Sequence, residues 1–196
     1  ERLLERAPRH HPRQVRPGAG AHHAARLAGA GLPARVGGGR LLVASIARFS
    51  PEERKRLGVH TCPGGDRDST HSADVDYAEL LPSLFELRAG NFYVALAGEP
   101  DRIRVLKIIR KYLKPGQRIF IGVVSPIDPR VENPEEIRDR ILEAARYIPV
   151  EQLGTTDDCG FSPFCDDTST TREKAFAKIR SRVEGTALAE EIIKGK

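Results

Sequence analysis

Four short apolar runs, starting near residues 57, 91, 118 and 151, are each followed by a segment with helix signals. The runs are "LGVHT", "NFYVALA" (91–97), "RIFIGVV" (118–124) and "EQLGTT" (151–156). After the first, residues 75–88 place Tyr77, Leu80, Leu81, Leu84 and Phe85 on one helical side. After the second, "PDRIRVLKIIRKYLKPG" opens at Pro100 and closes at Gly116. After the third, "NPEEIRDRILEAARYI" has Asn133 as cap and Pro134 at its first position. After the fourth, "STTREKAFAKIRSRV" is capped near Ser169. A repeat of roughly 30 residues is the length of a strand plus its crossover helix. Such units build a parallel sheet with right-handed crossovers. The spacing therefore predicts an α/β fold of about four parallel strands with helices. A complete (β/α)8 TIM-type barrel has eight units over ~250 residues, so four units correspond to half of one.

This pattern starts only at about residue 41. Residues 41–49, "LLVASIARF", read as a helix remnant, and "SPEERKRLG" supplies Ser50 as an N-cap with Pro51 at the first helical position. Residues 1–40 differ in kind. They use only Arg, Ala, Gly, Pro, His, Leu, Val, Glu and Gln, and hold four of the six histidines. No strand or helix period survives there, which reads as a low-complexity segment, disordered or an out-of-frame translation of GC-rich DNA. Two domains are expected, 1–40 and 41–196.

Charge follows the same division. The first forty residues hold eight Arg against two Glu, so the remainder carries 24 basic and 25 acidic side chains. The excess of +5 thus belongs to the low-complexity segment, and the rest has no electrostatic footprint for nucleic acid. No run approaches the ~20 apolar residues of a membrane span, and the basic start has no apolar core of a signal peptide. A cytoplasmic protein with no nucleic-acid or membrane partner is expected. Three cysteines, at 62, 159 and 165, favour a metal site or reactive thiol over a disulfide framework.

Polar residues gather just past the strand ends: His60 and Cys62, Glu99 and Asp101, Ser125 and Asp128, and Asp157 to Cys159. In an α/β barrel that edge is where the site forms. In an extended segment residues i and i+2 face the same side, so His60 and Cys62 can approach one centre. Imidazole and thiolate are zinc ligands, and a third ligand from another strand end completes a three-ligand catalytic site; Cys159 has a suitable place. A buried cysteine beside a hydrogen-bonded loop histidine would give the same local sequence.

Together, "VHTCPGGD", "HSADVDYAELLPSLFEL" and "LGTTDDCGF" resemble the C-terminal catalytic domain of the cobalamin-independent methionine synthase family. That family lies in the barrel superfamily that includes uroporphyrinogen decarboxylase. The resemblance covers about residues 45–195, the second half of the barrel. It implies Zn2+ held by His60, Cys62 and Cys159. It also implies methyl transfer from 5-methyltetrahydropteroyl(tri)glutamate to a thiol, homocysteine being the family's acceptor. Two positions depart from the family pattern. The glutamate that serves as a further ligand aligns near Leu96, with Glu99 three residues on as a substitute ligand or a group at the start of the next helix. The proton-donating histidine of a His-Ser-Pro stretch aligns with Val124 in "VVSPID". The alternatives are a non-catalytic truncated remnant, or a related barrel enzyme acting on another thiol or on a porphyrinogen.

Asp157 and Asp158 are placed to orient metal-bound ligands from behind. The acidic stretch with Asp66, Asp68, His71, Asp74 and Asp76 reads mainly as caps and loop hydrogen bonds. Cys165 reads as a loop thiol, and Arg102, Arg104, Lys107, Arg110, Lys111 and Lys114 read as a solvated outer face.

Overall fold

Four strands lie side by side in chain order and run parallel: β1 (Gly58–Thr61), β2 (Asn91–Val94), β3 (Arg118–Val124) and β4 (Leu153–Asp157). The structure, a computed structural model, describes residues 39–61, 76–161 and 170–195. The chain divides into two units, Glu1–Arg40 and Leu41–Lys196, and nearly all described residues belong to the second. The expectations for residues 1–38, and those for Cys62, Asp66, Asp68, His71, Asp74 and Cys165, lie outside the described residues.

Two helices, α1 (Gly39–Ala47) and α2 (Pro51–Arg54), precede β1; α3 (Tyr77–Leu84), α4 (Arg102–Tyr112), α5 (Pro134–Ala145) and α6 (Arg172–Ile193) follow the four strands in turn. This is the α/β repeat that the sequence spacing predicts. The local signals act as expected at several starts. Ser50 and Glu53 form a reciprocal capping box, each side chain serving the other's backbone N–H. Asn133 Oδ1 accepts from Glu136 N–H at 2.7 Å, with Pro134 opening α5.

Other boundaries shift. The first crossover helix is shorter than residues 75–88, running from Tyr77 to Leu84 behind an Asp76 cap. A 3-10 turn at Val150–Gln152 takes the start of the expected fourth strand. The last helix is capped by Thr171 rather than near Ser169. The second strand ends at Val94 rather than at residue 97, because the amides of residues 96–98 turn away from the ladder to a carboxylate.

Pleating sends alternate residues to opposite faces. Val59, Phe92, Val94, Ile119, Ile121 and Val123 are buried in one core with Leu81 and Phe85, Leu106 and Ile109 of α4, and Ile137 and Ile141 of α5. Each such apolar side chain withdrawn from water contributes roughly 1.5–3 kcal/mol before ordering costs. The intervening residues form a cross-strand row, His60, Tyr93, Phe120 and Gly154, directly in register. Within it the Tyr93 and Phe120 rings stack at 4.6 Å. Helix α6 packs along α5, with Lys178, Ser181, Gly185 and Ala189 its buried residues. Gly185 is required there, since a methyl group on it would lie 2.6 Å from the Pro134 carbonyl oxygen.

Candidate functional site

A parallel strand that ends at a turn leaves its last backbone groups without ladder partners, and each must be paired or hydrated. At the C-terminal edge of this sheet, cations from the helices take the carbonyls. Arg102 Nη1 donates to the Leu96 carbonyl at 3.0 Å, Arg140 Nη1 to that of Val123 at 2.7 Å, and Lys178 Nζ to that of Ser125 at 3.0 Å. Arg102 is also paired with Glu143 at 3.0 Å and its side chain is 16% exposed. It therefore belongs to the strand ends and not to a solvated outer face, which corrects that expectation.

Two buried carboxylates complete the edge. Glu132 Oε1 accepts from Ser125 N–H at 2.8 Å, and its Oε2 pairs with Lys178 at 2.7 Å, both side chains being fully buried. Ser181 Oγ donates to the Glu132 carbonyl. This network fixes the turn that starts at Ser125. Asp158 fixes the turn after β2: its Oδ1 accepts from Leu96 and Ala97 N–H at 2.8 and 2.9 Å, and its Oδ2 from Gly98 N–H at 3.0 Å. Burial pushes the Asp158 carboxyl up, opposed by those three amides. Asp157 differs, for it pairs with Arg182 of α6 at 2.9 Å, and burial outweighs that pairing in raising its carboxyl. A register shift in the β3–β4 pairing between Gly122 and Val124 precedes the two aspartates. Such irregularities re-aim side chains at strand ends.

His60 is exposed near the end of β1. Beside it, Thr61 Oγ1 lies 3.5 Å from the Tyr77 hydroxyl, which donates to the Ala95 carbonyl at 2.8 Å. Burial pushes the Tyr77 hydroxyl up to about 12, with Asp158 and Glu99 adding to the rise, so it stays a donor at neutral pH. Glu99 is half-buried on the turn after β2, its N–H donating to the Leu96 carbonyl at 3.3 Å. Asp101 caps α4 through Arg104 N–H at 2.9 Å. Cys159 is half-buried just past β4 and is disulfide-bonded. That differs from the expectation of thiols rather than bridges. The two are chemically related, since a pair of cysteine sulfurs held together can be bridged when oxidised or supply thiolates when reduced.

Among the described residues no three His, Cys, Asp or Glu side chains come together as a metal cluster. Cys62 is not one of those residues. Of the expected ligands, His60 stands at the end of the first strand of the sheet and Cys159 follows the last; Glu99 follows the second. Once Cys159 is reduced the donors fit zinc in kind: one imidazole, one cysteine thiolate and a carboxylate at the same sheet edge. Glu132, Lys178, Arg140 and Tyr77 were not marked by the sequence pattern as groups of this edge. Buried charge at helical spacing looks the same in sequence as a solvated face.

Parallel strands in chain order, each followed by a helix, with polar groups assembled at the C-terminal edge, are the arrangement of the α/β barrel class of fold. The chain belongs to the family described as "Cobalamin-independent synthase, Catalytic domain", whose model matches residues 64–187. That match takes in Glu99, Asp157, Asp158 and Cys159 and begins just after His60 and Cys62. Among relatives, an uncharacterized protein YxjG of Bacillus subtilis (strain 168) is 28% identical over 127 residues, covering 64% of this chain and 33% of that protein. A methionine synthase of Saccharolobus solfataricus is 27% identical over 141 residues, covering 72% of this chain and 36% of that one. A methionine synthase of Thermococcus kodakarensis is 28% identical over 149 residues, covering 76% and 38%. The chain thus spans about a third of the length of these relatives. In fold it is similar to a B12-independent methionine synthase from Shewanella sp. W3-18-1, solved in complex with selenomethionine. The TM-score is 0.58 at 16% identity, over 80% of this chain and 47% of that one. Among the described residues no helix is long and apolar enough to cross a membrane.

Proposed function

We propose that this chain is part of a zinc-dependent methyltransferase that moves a methyl group from 5-methyltetrahydropteroyl(tri)glutamate to a thiol acceptor, homocysteine in the first instance. The observation that carries the reading is the position of Cys159 directly past β4, at the sheet edge that bears His60, within a chain of the cobalamin-independent synthase family. In this reading His60, Cys62 and Cys159 hold the metal, and Glu99 is the carboxylate offered as a fourth donor. Bound zinc keeps a thiol ionised near neutral pH, where a free thiol of pKa ~8.5 is mostly protonated. The protein's own groups do the positioning. Arg102, Arg140 and Lys178 tie down strand-end carbonyls, and Asp158 and Glu132 tie down amides, so the edge is held before substrate arrives.

Two features favour a second reading of the acceptor. The resemblance aligns the family's proton-donating histidine with Val124 and its ligating glutamate near Leu96, and both residues are fully buried. A related thiol in place of homocysteine is that second reading. The test is zinc content of the reduced protein against His60→Ala, Cys62→Ser and Cys159→Ser, followed by methyl transfer to homocysteine and to other small thiols. Loss of zinc in each variant is expected. Unchanged zinc in all three would overturn the metal assignment.

A further inference from the structure

Asp158 joins three strand ends at one point, through its carboxylate and its backbone N–H. Its side chain, 7% exposed, accepts three backbone N–H groups from Leu96, Ala97 and Gly98 of the turn after β2. Its own N–H donates to the Val124 carbonyl at the end of β3, at 2.9 Å. It also occupies the space above Gly122 of β3, where a methyl group would lie 1.7 Å from Oδ1. The residue bonded to it is Cys159. Two oxygens serving three amides are what a carboxylate supplies. An asparagine has one oxygen and one NH2, so in either orientation at least one backbone N–H faces another donor.

We infer that Asp158 is a positioning residue: it fixes the backbone of Cys159 against the Leu96–Gly98 turn that leads to Glu99, and thereby sets the spacing of the metal donors. The inference rests on the zinc reading above. Gly122 is the second half of the device, because only a residue without a side chain leaves the carboxylate its place. A carboxylate buried solely for stability would make the same hydrogen bonds, and the two roles separate when stability and metal affinity are measured in parallel.

The experiment compares Asp158→Asn and Gly122→Ala with Gly185→Ala, whose added methyl meets Pro134 and Ile137 in the α5–α6 contact. Zinc affinity is read on reduced protein by competition with a chromophoric chelator, and the cobalt(II)–thiolate charge-transfer band reports the ligand geometry. Melting temperature is read on the same samples. Groups that orient metal ligands typically change affinity by about 10–100-fold, and a loss in that range is expected for Asp158→Asn and Gly122→Ala, with a shifted cobalt band. Gly185→Ala is expected to melt lower and bind zinc as the wild type does. Wild-type affinity and an unshifted band in folded Asp158→Asn and Gly122→Ala would overturn the inference. If the wild type binds no zinc, the metal reading itself fails. The positioning role is then judged on metal-free, reduced protein by the alkylation rate of Cys159, resolved by peptide mass spectrometry. A several-fold change in Asp158→Asn, absent in Gly185→Ala, supports it, and an unchanged rate overturns it.

Discussion

Lys178 Nζ lies 2.7 Å from Glu132 Oε2, with neither side chain reaching solvent. The pair links α6 to the segment before α5, and Ser125 binds both partners, its N–H donating to Glu132 Oε1 and its carbonyl accepting from Lys178 Nζ. Removing one partner of a buried pair leaves the other charged and desolvated, which typically costs about 3–5 kcal/mol. Lys178→Met is therefore expected to lower the unfolding free energy in urea by about that amount. Glu132→Leu with Lys178→Met is expected to recover most of the loss, since an apolar pair of similar volume removes the stranded charge. A double variant no more stable than Lys178→Met would show that the Ser125 hydrogen bonds, and not the charge pair, set the cost.

The bond on Cys159 makes the metal reading dependent on redox state. A disulfide sulfur is not a thiolate ligand, so zinc loading is expected only after reduction. Protein prepared with a phosphine reductant and then dialysed against zinc is expected to hold close to one equivalent. Oxidised protein is expected to hold little, and metal analysis with thiol counting on both preparations checks this. Equal zinc in the two preparations would remove Cys159 from the ligand set.

Gly185→Ala sets two effects of opposite sign against each other. Alanine in a helix interior is favoured over glycine by about 1 kcal/mol. Against this, the new methyl group meets Pro134 O at 2.6 Å and Ile137 Cβ at 2.7 Å, one of them backbone. Overpacking of a tight contact costs typically about 1–3 kcal/mol, so the net expectation is destabilisation. Thermal unfolding decides the sign. A higher melting temperature would mean that α6 can move away from α5 at little cost.

The sequence spacing carries the strand–helix repeat because it depends on local pattern: alternation and apolar runs for strands, caps at Ser50 and Asn133 for helices. What local pattern does not carry is contact between distant segments. The second strand reads as 91–97 from its apolar run, yet it stops at Val94 because Asp158, some sixty residues later, takes the next amides. Arg102 reads as outer-face charge, and its turn inward to Leu96 and Glu143 depends on a helix forty residues away. Lys178 and Glu132 are the same case, two charged residues whose burial is fixed only when α5 and α6 meet. For the candidate site, the strand-end positions of His60, Glu99 and Cys159 follow from the repeat, whereas the groups that hold those ends still come from elsewhere in the chain.

Asp76 joins the start of α3 to α4, its Oδ1 accepting from Ala78 N–H at 2.8 Å and its Oδ2 lying 2.6 Å from Arg104 Nη2. The Arg104 hydrogen bond first, and the Ala78 amide second, hold its carboxyl below the ordinary value of 3.8. A carboxyl whose pKa is lower folded than unfolded adds stability above the unfolded value. That addition fades as pH falls through the folded value. Asp76→Asn keeps an oxygen for the Ala78 amide and removes the charge. The variant is expected to melt slightly below the wild type at about pH 7, with the gap narrowing as the pH is lowered below roughly 3.8. High salt is expected to narrow it as well, since both partners are partly exposed. Melting curves across that pH range, at low and high salt, check both trends. No gap at any pH would assign the role of Asp76 to its cap on α3 alone, which asparagine keeps.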